Sequence, residues 1–220
     1  MLLIAHRVNT ISELDNLPVS YGVEVDLRDY NGRIVVTHDP LVDGENFSDW
    51  LNHFKHQTLI LNIKCEGIEW QVLDELKAHG IEDYFFLDSS FPMVHALAEK
   101  GEHRIALRLS EWEGLDTIVK MKNRIQWVWV DCFSNLILNA DVYEQICDLG
   151  LKICLVSPEL QGRPKDIIVY RDFLKQEKIC PEAICTKRAH FALWEPLLES
   201  DHDLCSLRDL ARNTDTRRRT

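Results

Sequence analysis

Two carboxylates stand two residues apart in the run GVEVDLRDYNGRIVVTHD, Gly22 to Asp39. Residues i and i+2 of a strand project to the same face, so Glu24 and Asp26 share a side. Carboxylates held that close repel when both are ionised. A hard divalent cation, Mg2+ or Ca2+, resolves the repulsion because it prefers oxygen ligands. His6 is the penultimate residue of the first apolar segment and His38 of the quoted run. Imidazole titrates near neutrality, so two histidines flanking such a metal can exchange protons as general acid and base. Arg7 and Lys64 add positive charge suited to phosphate oxygens. Metal-bound carboxylates, two His, an Arg and a Lys make an apparatus for phosphodiester cleavage.

Taken singly, each group has a plainer reading. His6 could be a hydrogen-bonded core histidine. His38-Asp39 could be a loop turn leading into Pro40. Glu24 with Lys64, and Arg108 with Asp131, could be structural ion pairs. Their joint placement is what favours a site, and that placement depends on the elements carrying them.

Eight short apolar runs recur along the chain: 2–7, 22–28, 59–65, 83–89, 104–110, 127–132, 152–158 and 183–188. Each has strand length and is rich in β-branched or aromatic residues. Amphipathic segments separate them, with helices expected over 68–79, 92–100, 113–122, 141–149 and 166–177 and a weaker one over 9–17. Gly80, Gly101 and Gly150 follow three of these segments as helix stops. Strands alternating with helices imply parallel βα units, and eight such units close a (β/α)8 TIM barrel of α/β class. An open doubly wound sheet is the alternative, but no glycine-rich phosphate loop follows any strand. Asn31-Gly32 signals a two-residue hairpin, which extends the second strand past the rim and returns His38-Asp39 toward Asp26.

Most of these strands finish in polar residues: His6-Arg7, Glu24, Asp26 and Arg28, Asn62 and Lys64, Asp88, Arg108, Asp131, Thr186-Lys187. Barrel strands are covered on both sides and ordinarily apolar, so charged groups within them need a partner or a ligand. The carboxyl ends of the strands form the active face of such a barrel.

The 220 residues suit a single barrel domain, and 45% hydrophobic content is enough for a substantial core. A net charge of -11 argues against nucleic acid as a partner. The basic cluster Arg217 to Arg219 belongs to a tail expected to fray from about residue 212. The seven cysteines are odd in number and form no C-x-x-C pair, which fits reduced thiols in a cytoplasmic protein and argues against a zinc site. The opening MLLIAHR is too short for a signal peptide. No apolar run approaches the ~20 residues of a membrane span, and no basic amphipathic helix suggests stable membrane association.

At the polar strand ends the sequence resembles the glycerophosphodiester phosphodiesterase family. IAHR resembles its first-strand His-Arg motif. GVEVDLRDYNGRIVVTHDP is similar to its second-strand Glu-x-Asp, hairpin and His-Asp block. LILNIK resembles the third-strand motif, LDSSF at 87–91 the Ser-Phe signature after the fourth strand, and AICTKR the last-strand segment. The resemblance is specific over residues 4–39 and weaker after Phe91. It implies a barrel of the PLC-like phosphodiesterase type with a divalent cation at its carboxyl face. By that resemblance Glu24 and Asp26 match metal ligands, His6 and His38 the acid/base pair, and Arg7 and Lys64 the phosphate contacts.

Several positions depart from the family pattern. Val8 replaces the usual Gly after His-Arg, and only Asn9-Thr10 remain of a Glu-Asn-Thr motif. The usual third acidic ligand is Asn62, which offers a neutral carbonyl. Metal affinity is expected to fall unless Glu66, on the same strand parity, or a substrate phosphate completes the shell. Lys187 follows Thr186 where the family often has Asp. Only about twenty residues separate His38 from the third strand, leaving the pocket comparatively open. The reading is a metal-dependent phosphodiesterase acting on a small glycerophosphodiester-like substrate. A phosphate-binding module that has lost its metal, or a phospholipase D-like enzyme forming a cyclic phosphate, are the alternatives.

Overall fold

A computed structural model of the chain describes residues 1–198; the tail expected to fray lies outside them. In chain order the elements are β1 (Leu2–Ala5), α1 (Ile11–Asp15), β2 (Gly22–Tyr30), β3 (Arg33–Val36), β4 (Glu45–Asn46) and α2 (Phe47–Leu51). Then come β5 (Leu59–Ile63), α3 (Glu69–Ala78), β6 (Tyr84–Leu87), α4 (Phe91–Glu99), β7 (Ala106–Leu109) and α5 (Leu115–Met121). The series ends with β8 (Trp127–Val130), α6 (Ala140–Asp148), β9 (Lys152–Val156), α7 (Asp166–Glu177) and β10 (Ala183–Thr186). A final helical run covers 191–198.

Parallel ladders join β1 to β2, β2 to β5, β5 to β6, β7 to β8, β8 to β9, β9 to β10 and β10 back to β1. The seam between β6 and β7 is closed by a parallel bridge, Phe86 to Ile105. The fold is therefore the expected closed (β/α)8 barrel, and closure excludes the open-sheet alternative. The expected helices all lie within two residues of their bounds, although α1 keeps only five residues, and α2 and the run over 191–198 are additional to them. The short length of α1 is offset by a capping box in which Thr10 and Glu13 satisfy each other's backbone N–H groups.

Side-chain alternation divides the core into two layers. Val23, Val25 and Leu27 of β2 face outward and join the helices in the larger cluster, with Leu59, Leu61, Val72 and Leu76. Ile4, Ile60, Phe85, Trp127, Cys154 and Ala183 face inward and fill the barrel. Phe85 and Trp127 stack there with ring centroids 4.5 Å apart. Fully burying one such side chain contributes roughly 1.5–3 kcal/mol. Gly22 faces the same interior; a Cβ there would meet Ile4 Cδ1 at 2.2 Å, so the close approach of β1 and β2 requires glycine.

The hairpin forms as expected. Asn31 and Gly32 both have positive φ, 54° and 78°, the geometry of a type I′ turn. β3 then pairs antiparallel with β2 beyond the rim, and β4 extends that ribbon. The cysteines depart from expectation at one position: Cys65, Cys132, Cys147, Cys154 and Cys185 are free, but Cys180 is disulfide-bonded. Among the described residues no helix is long and apolar enough to cross a membrane.

Candidate active site

Along each inward-facing line of side chains, apolar residues give way to polar ones toward the carboxyl end. Ile4 is followed by His6, Ile60 by Asn62 and Lys64, Ala106 by Arg108, and Trp129 by Asp131. On β2 the whole line is polar above Gly22, with Glu24, Asp26 and Arg28.

Glu24 and Asp26 are buried to 0% and 1% exposure. Glu24 accepts from the Asn62 amide at 2.7 Å through Oε1, and from the Arg7 backbone N–H at 2.6 Å through Oε2. Arg7 has a left-handed φ of 57°, which turns its N–H onto the carboxylate while Val8 N–H meets the Glu24 carbonyl at 2.9 Å. Backbone in this region is costly for a residue with a Cβ and tends to be kept at functional sites. Asp26 Oδ2 accepts from Asn9 Nδ2 at 2.9 Å and lies 3.3 Å from Arg7 Nε.

His6 sits with Nε2 3.8 Å from Glu24 Oε2. Burial, reinforced by Arg7, lowers its pKa to about 4, so the ring is neutral at pH 7. Burial, reinforced by the Asp26 charge, raises the Glu24 pKa to about 7. Lys64 Nζ lies 3.6 Å from Asp26 Oδ1 and 3.5 Å from Asp88 Oδ2. The Glu24–Lys64 pairing anticipated as a structural reading is replaced by this Asp26–Lys64–Asp88 bridge. The other anticipated pair does form: Arg108 binds Asp131, and also Asp88.

His38 lies on the turn after β3, with Nδ1 2.9 Å from Asp39 Oδ1. Arg28 holds that turn against the barrel, donating Nε–H to the His38 carbonyl at 2.9 Å and Nη1–H to the Lys64 carbonyl at 2.7 Å. Glu66 is exposed and accepts from Ser90 Oγ at 2.5 Å; it makes no hydrogen bond or ion pair to Glu24, Asp26 or Asn62.

Three contributors had not been assigned roles from sequence. Asn9 grips Asp26 twice, through its carboxylate and, at 3.0 Å, through its N–H. Its nearness to His6-Arg7 was the available signal. Arg28 shares the strand parity of the two carboxylates, which was its signal. Glu159, buried, accepts from Thr186 Oγ1 at 2.6 Å and Lys187 N–H at 3.0 Å, fixing the turn after β10, and no local pattern pointed to it.

The chemistry of the donors suits a hard cation. Asp26 Oδ1 and Asn62 Oδ1 are buried oxygens without a hydrogen-bond partner, at paired register positions on β2 and β5. These two oxygens on adjacent strands, beside the Glu24 carboxylate, are ligands of the type an oxygen-seeking dication takes, although Lys64 Nζ already stands 3.6 Å from Asp26 Oδ1. Two carboxylates are fewer than an all-acidic site supplies, and no group of three His, Cys, Asp or Glu side chains able to hold a metal occurs among the described residues.

A closed parallel barrel with its charged groups gathered at the strand carboxyl ends defines the class: a TIM barrel with a polar site on its active face. No protein-family model matches the chain, and no curated protein matches it. Among solved structures it is similar to one named for a glycerophosphoryl diester phosphodiesterase of Agrobacterium tumefaciens strain C58. The TM-score is 0.66 at 14% identity, covering 92% of this chain and 98% of that one. A glycerophosphodiester phosphodiesterase from the same strain aligns with TM-score 0.63 and 14% identity, covering 90% of this chain and 99% of that one. These likenesses establish the shared fold.

Proposed function

We propose that the chain is a divalent-metal-dependent phosphodiesterase that cleaves a small glycerophosphodiester-like molecule by histidine acid/base catalysis. The observation that carries this reading is the neutral His6 against Glu24, inside a cluster with Arg7, Asp26 and Lys64 that retains two buried oxygens without a hydrogen-bond donor. Structural neighbours of the same fold bear the matching name.

Glu24, Asp26 and the Asn62 carbonyl would hold Mg2+ or Ca2+, which supplies charge neutralisation at the phosphoryl oxygens. Arg7, whose side chain is 45% exposed, donates to those oxygens, and Lys64, beside Asp26, adds positive charge. Neutral His6 accepts the proton of the attacking water as the new P–O bond forms. His38 gives a proton to the alkoxide that departs as the old P–O bond breaks. Asp39 keeps the His38 proton on Nδ1 and orients the ring.

A panel of phosphodiesters assayed with and without Mg2+, Ca2+ or Mn2+, beside His6→Ala, tests the reading. Metal-stimulated cleavage lost in His6→Ala supports it; activity indifferent to both metal and His6 sinks it. Phosphorus NMR of the products separates hydrolysis from cyclic-phosphate formation.

One observation favours a second reading. Both Glu24 oxygens already have donors, and Lys64 lies beside Asp26, so the cluster balances charge without a metal. A barrel that holds a phosphodiester without cleaving it would look the same. Absence of Mg2+, Ca2+ and Mn2+ binding at millimolar levels by calorimetry would favour that module.

A further inference from the structure

The turn after β10 carries two cations that no acid claims. Lys187 and Arg188 are exposed, and neither has an ion-pair partner among the described residues. Arg188 is unusual in this acidic chain. Arg7, Arg33, Arg104, Arg108, Arg124, Arg163 and Arg171 each pair with a carboxylate, and Arg28 binds two carbonyls. Among the described arginines, Arg188 alone has a side chain with neither an ion pair nor a hydrogen bond; its carbonyl accepts from the Phe191 N–H.

Its position is specific. A cavity of about 130 Å3 opens beside the candidate active site, and Arg188 lines it together with His6 and Arg7. A volume of that order holds several waters or a tetrahedral oxyanion. Glu13, the one acid in the lining, is committed to Thr10, whose N–H and Oγ1–H it accepts at 3.1 and 3.0 Å. The cavity lining thus includes Arg188, whose guanidinium no acid claims, and Arg7.

The turn is also built to stay put. Buried Glu159 accepts from Thr186 Oγ1 and Lys187 N–H, Ser157 donates to Glu159, and Trp194 Nε1–H donates to Ser157 Oγ at 2.9 Å. His190 N–H closes the turn on the Lys187 carbonyl at 2.8 Å. The backbone under both cations is thereby fixed, so an anion bound there orders only their side chains.

We infer that Arg188, with Arg7, forms a second anion subsite beside His6, selecting phosphodiesters that carry an additional acidic group. The inference rests on the phosphodiesterase reading and names its substrate class: a diester whose alcohol bears a phosphomonoester or carboxylate. Guanidinium matches either group with two parallel N–H donors.

The test compares glycerophosphoglycerol, with one charged phosphate, with its terminally phosphorylated form, in wild type, Arg188→Ala and Arg188→Lys. The wild type is expected to favour the phosphorylated compound in kcat/KM. Arg188→Ala should lower that preference by about tenfold or more, and Arg188→Lys should keep part of it. The loss should appear in KM more than in kcat, and should shrink as salt rises. Equal preference in wild type and Arg188→Ala overturns the subsite, as does a wild type that favours the singly charged compound. Calorimetric binding of both compounds runs in parallel. If neither compound is cleaved, an Arg188-dependent binding preference still decides the subsite, and the diester panel with and without metal decides the phosphodiesterase reading separately. Thermal melts confirm folding of both variants, whose exposed side chain has no partner to lose.

Discussion

The side-chain amide of Asn62 donates to Glu24 Oε1 at 2.7 Å, across the β2–β5 ladder that pairs Asp26 with Asn62. A donor therefore faces the carboxylate where a third acid would face it with repulsion. This relationship lets Glu24 stay buried in the absence of a cation.

Asn62→Glu should reverse that balance. A third buried carboxylate adds repulsion that only a proton or a cation relieves. The variant is expected to melt several degrees below wild type in chelator, regain that loss with Mg2+ or Ca2+, and bind the cation at least tenfold more tightly by calorimetry. A metal affinity no higher than wild type would remove Asn62 from the ligand set.

His6→Ala and His38→Ala should each lower kcat by roughly 10²–10⁴ with little change in metal affinity. The measurement is steady-state kinetics on whichever diester the panel identifies, with metal titration alongside. Full activity in either variant removes that histidine from the proton-transfer scheme.

Arg28→Ala should loosen the His38 turn without touching substrate. It deprives the His38 and Lys64 carbonyls of charged donors, costing about 1–3 kcal/mol of stability. Activity should fall mainly in kcat, because the His38 turn is no longer tied to the end of β5. A variant that loses stability but keeps wild-type kcat would make Arg28 purely structural.

The pH dependence of stability in chelator should show two opposed slopes. His6 has a folded pKa of about 4 against 6.5 unfolded, so its contribution is present above pH 6.5 and lost as pH falls toward 4. Glu24 has a folded pKa of about 7 against 4.5 unfolded, so folded protein keeps a proton the unfolded chain releases; its contribution is present below pH 4.5 and lost as pH rises toward 7. Between pH 4.5 and 6.5 the two partly cancel in wild type. Glu24→Gln removes one, so the variant should gain on wild type steadily from pH 4.5 to 7. Parallel melting curves for the two proteins across that range would contradict the raised Glu24 pKa.

Arg108 is expected to be costly to remove. Asp131 is buried beside it to 3% exposure, and burial raises its pKa. Arg108→Met leaves that acid without its cation, at a cost of about 3–5 kcal/mol by denaturant unfolding. Adding Asp131→Asn should recover much of the loss. No recovery would place the stabilisation in Arg108's contact with Asp88.

Much of the site was legible because strand parity is a local property. Glu24 and Asp26 share a face wherever β2 goes, and Asn31-Gly32 encodes its own turn through positive φ. Partner choice was less legible. Lys64 bridges Asp26 and Asp88 rather than meeting Glu24, because β6 brings its terminal acid to the other side of the ammonium. Glu66 shares the parity of Asn62 but continues past the strand end, where Ser90 at the start of α4 captures it.

By itself, the sequence determined the alternation of strands and helices, the number that closes the barrel, and which residues point inward at the carboxyl rim. Periodicity and turn chemistry act over a few residues and survive in any context. Only the tertiary structure decided which oxygens are left without donors, that Asn9 and Arg28 organise the two ends of the site, and that Arg188, its side chain without an ion pair, lines a cavity with His6. Those outcomes depend on distances between strands far apart in sequence, and on burial, which sets what each charge costs and whom it must find.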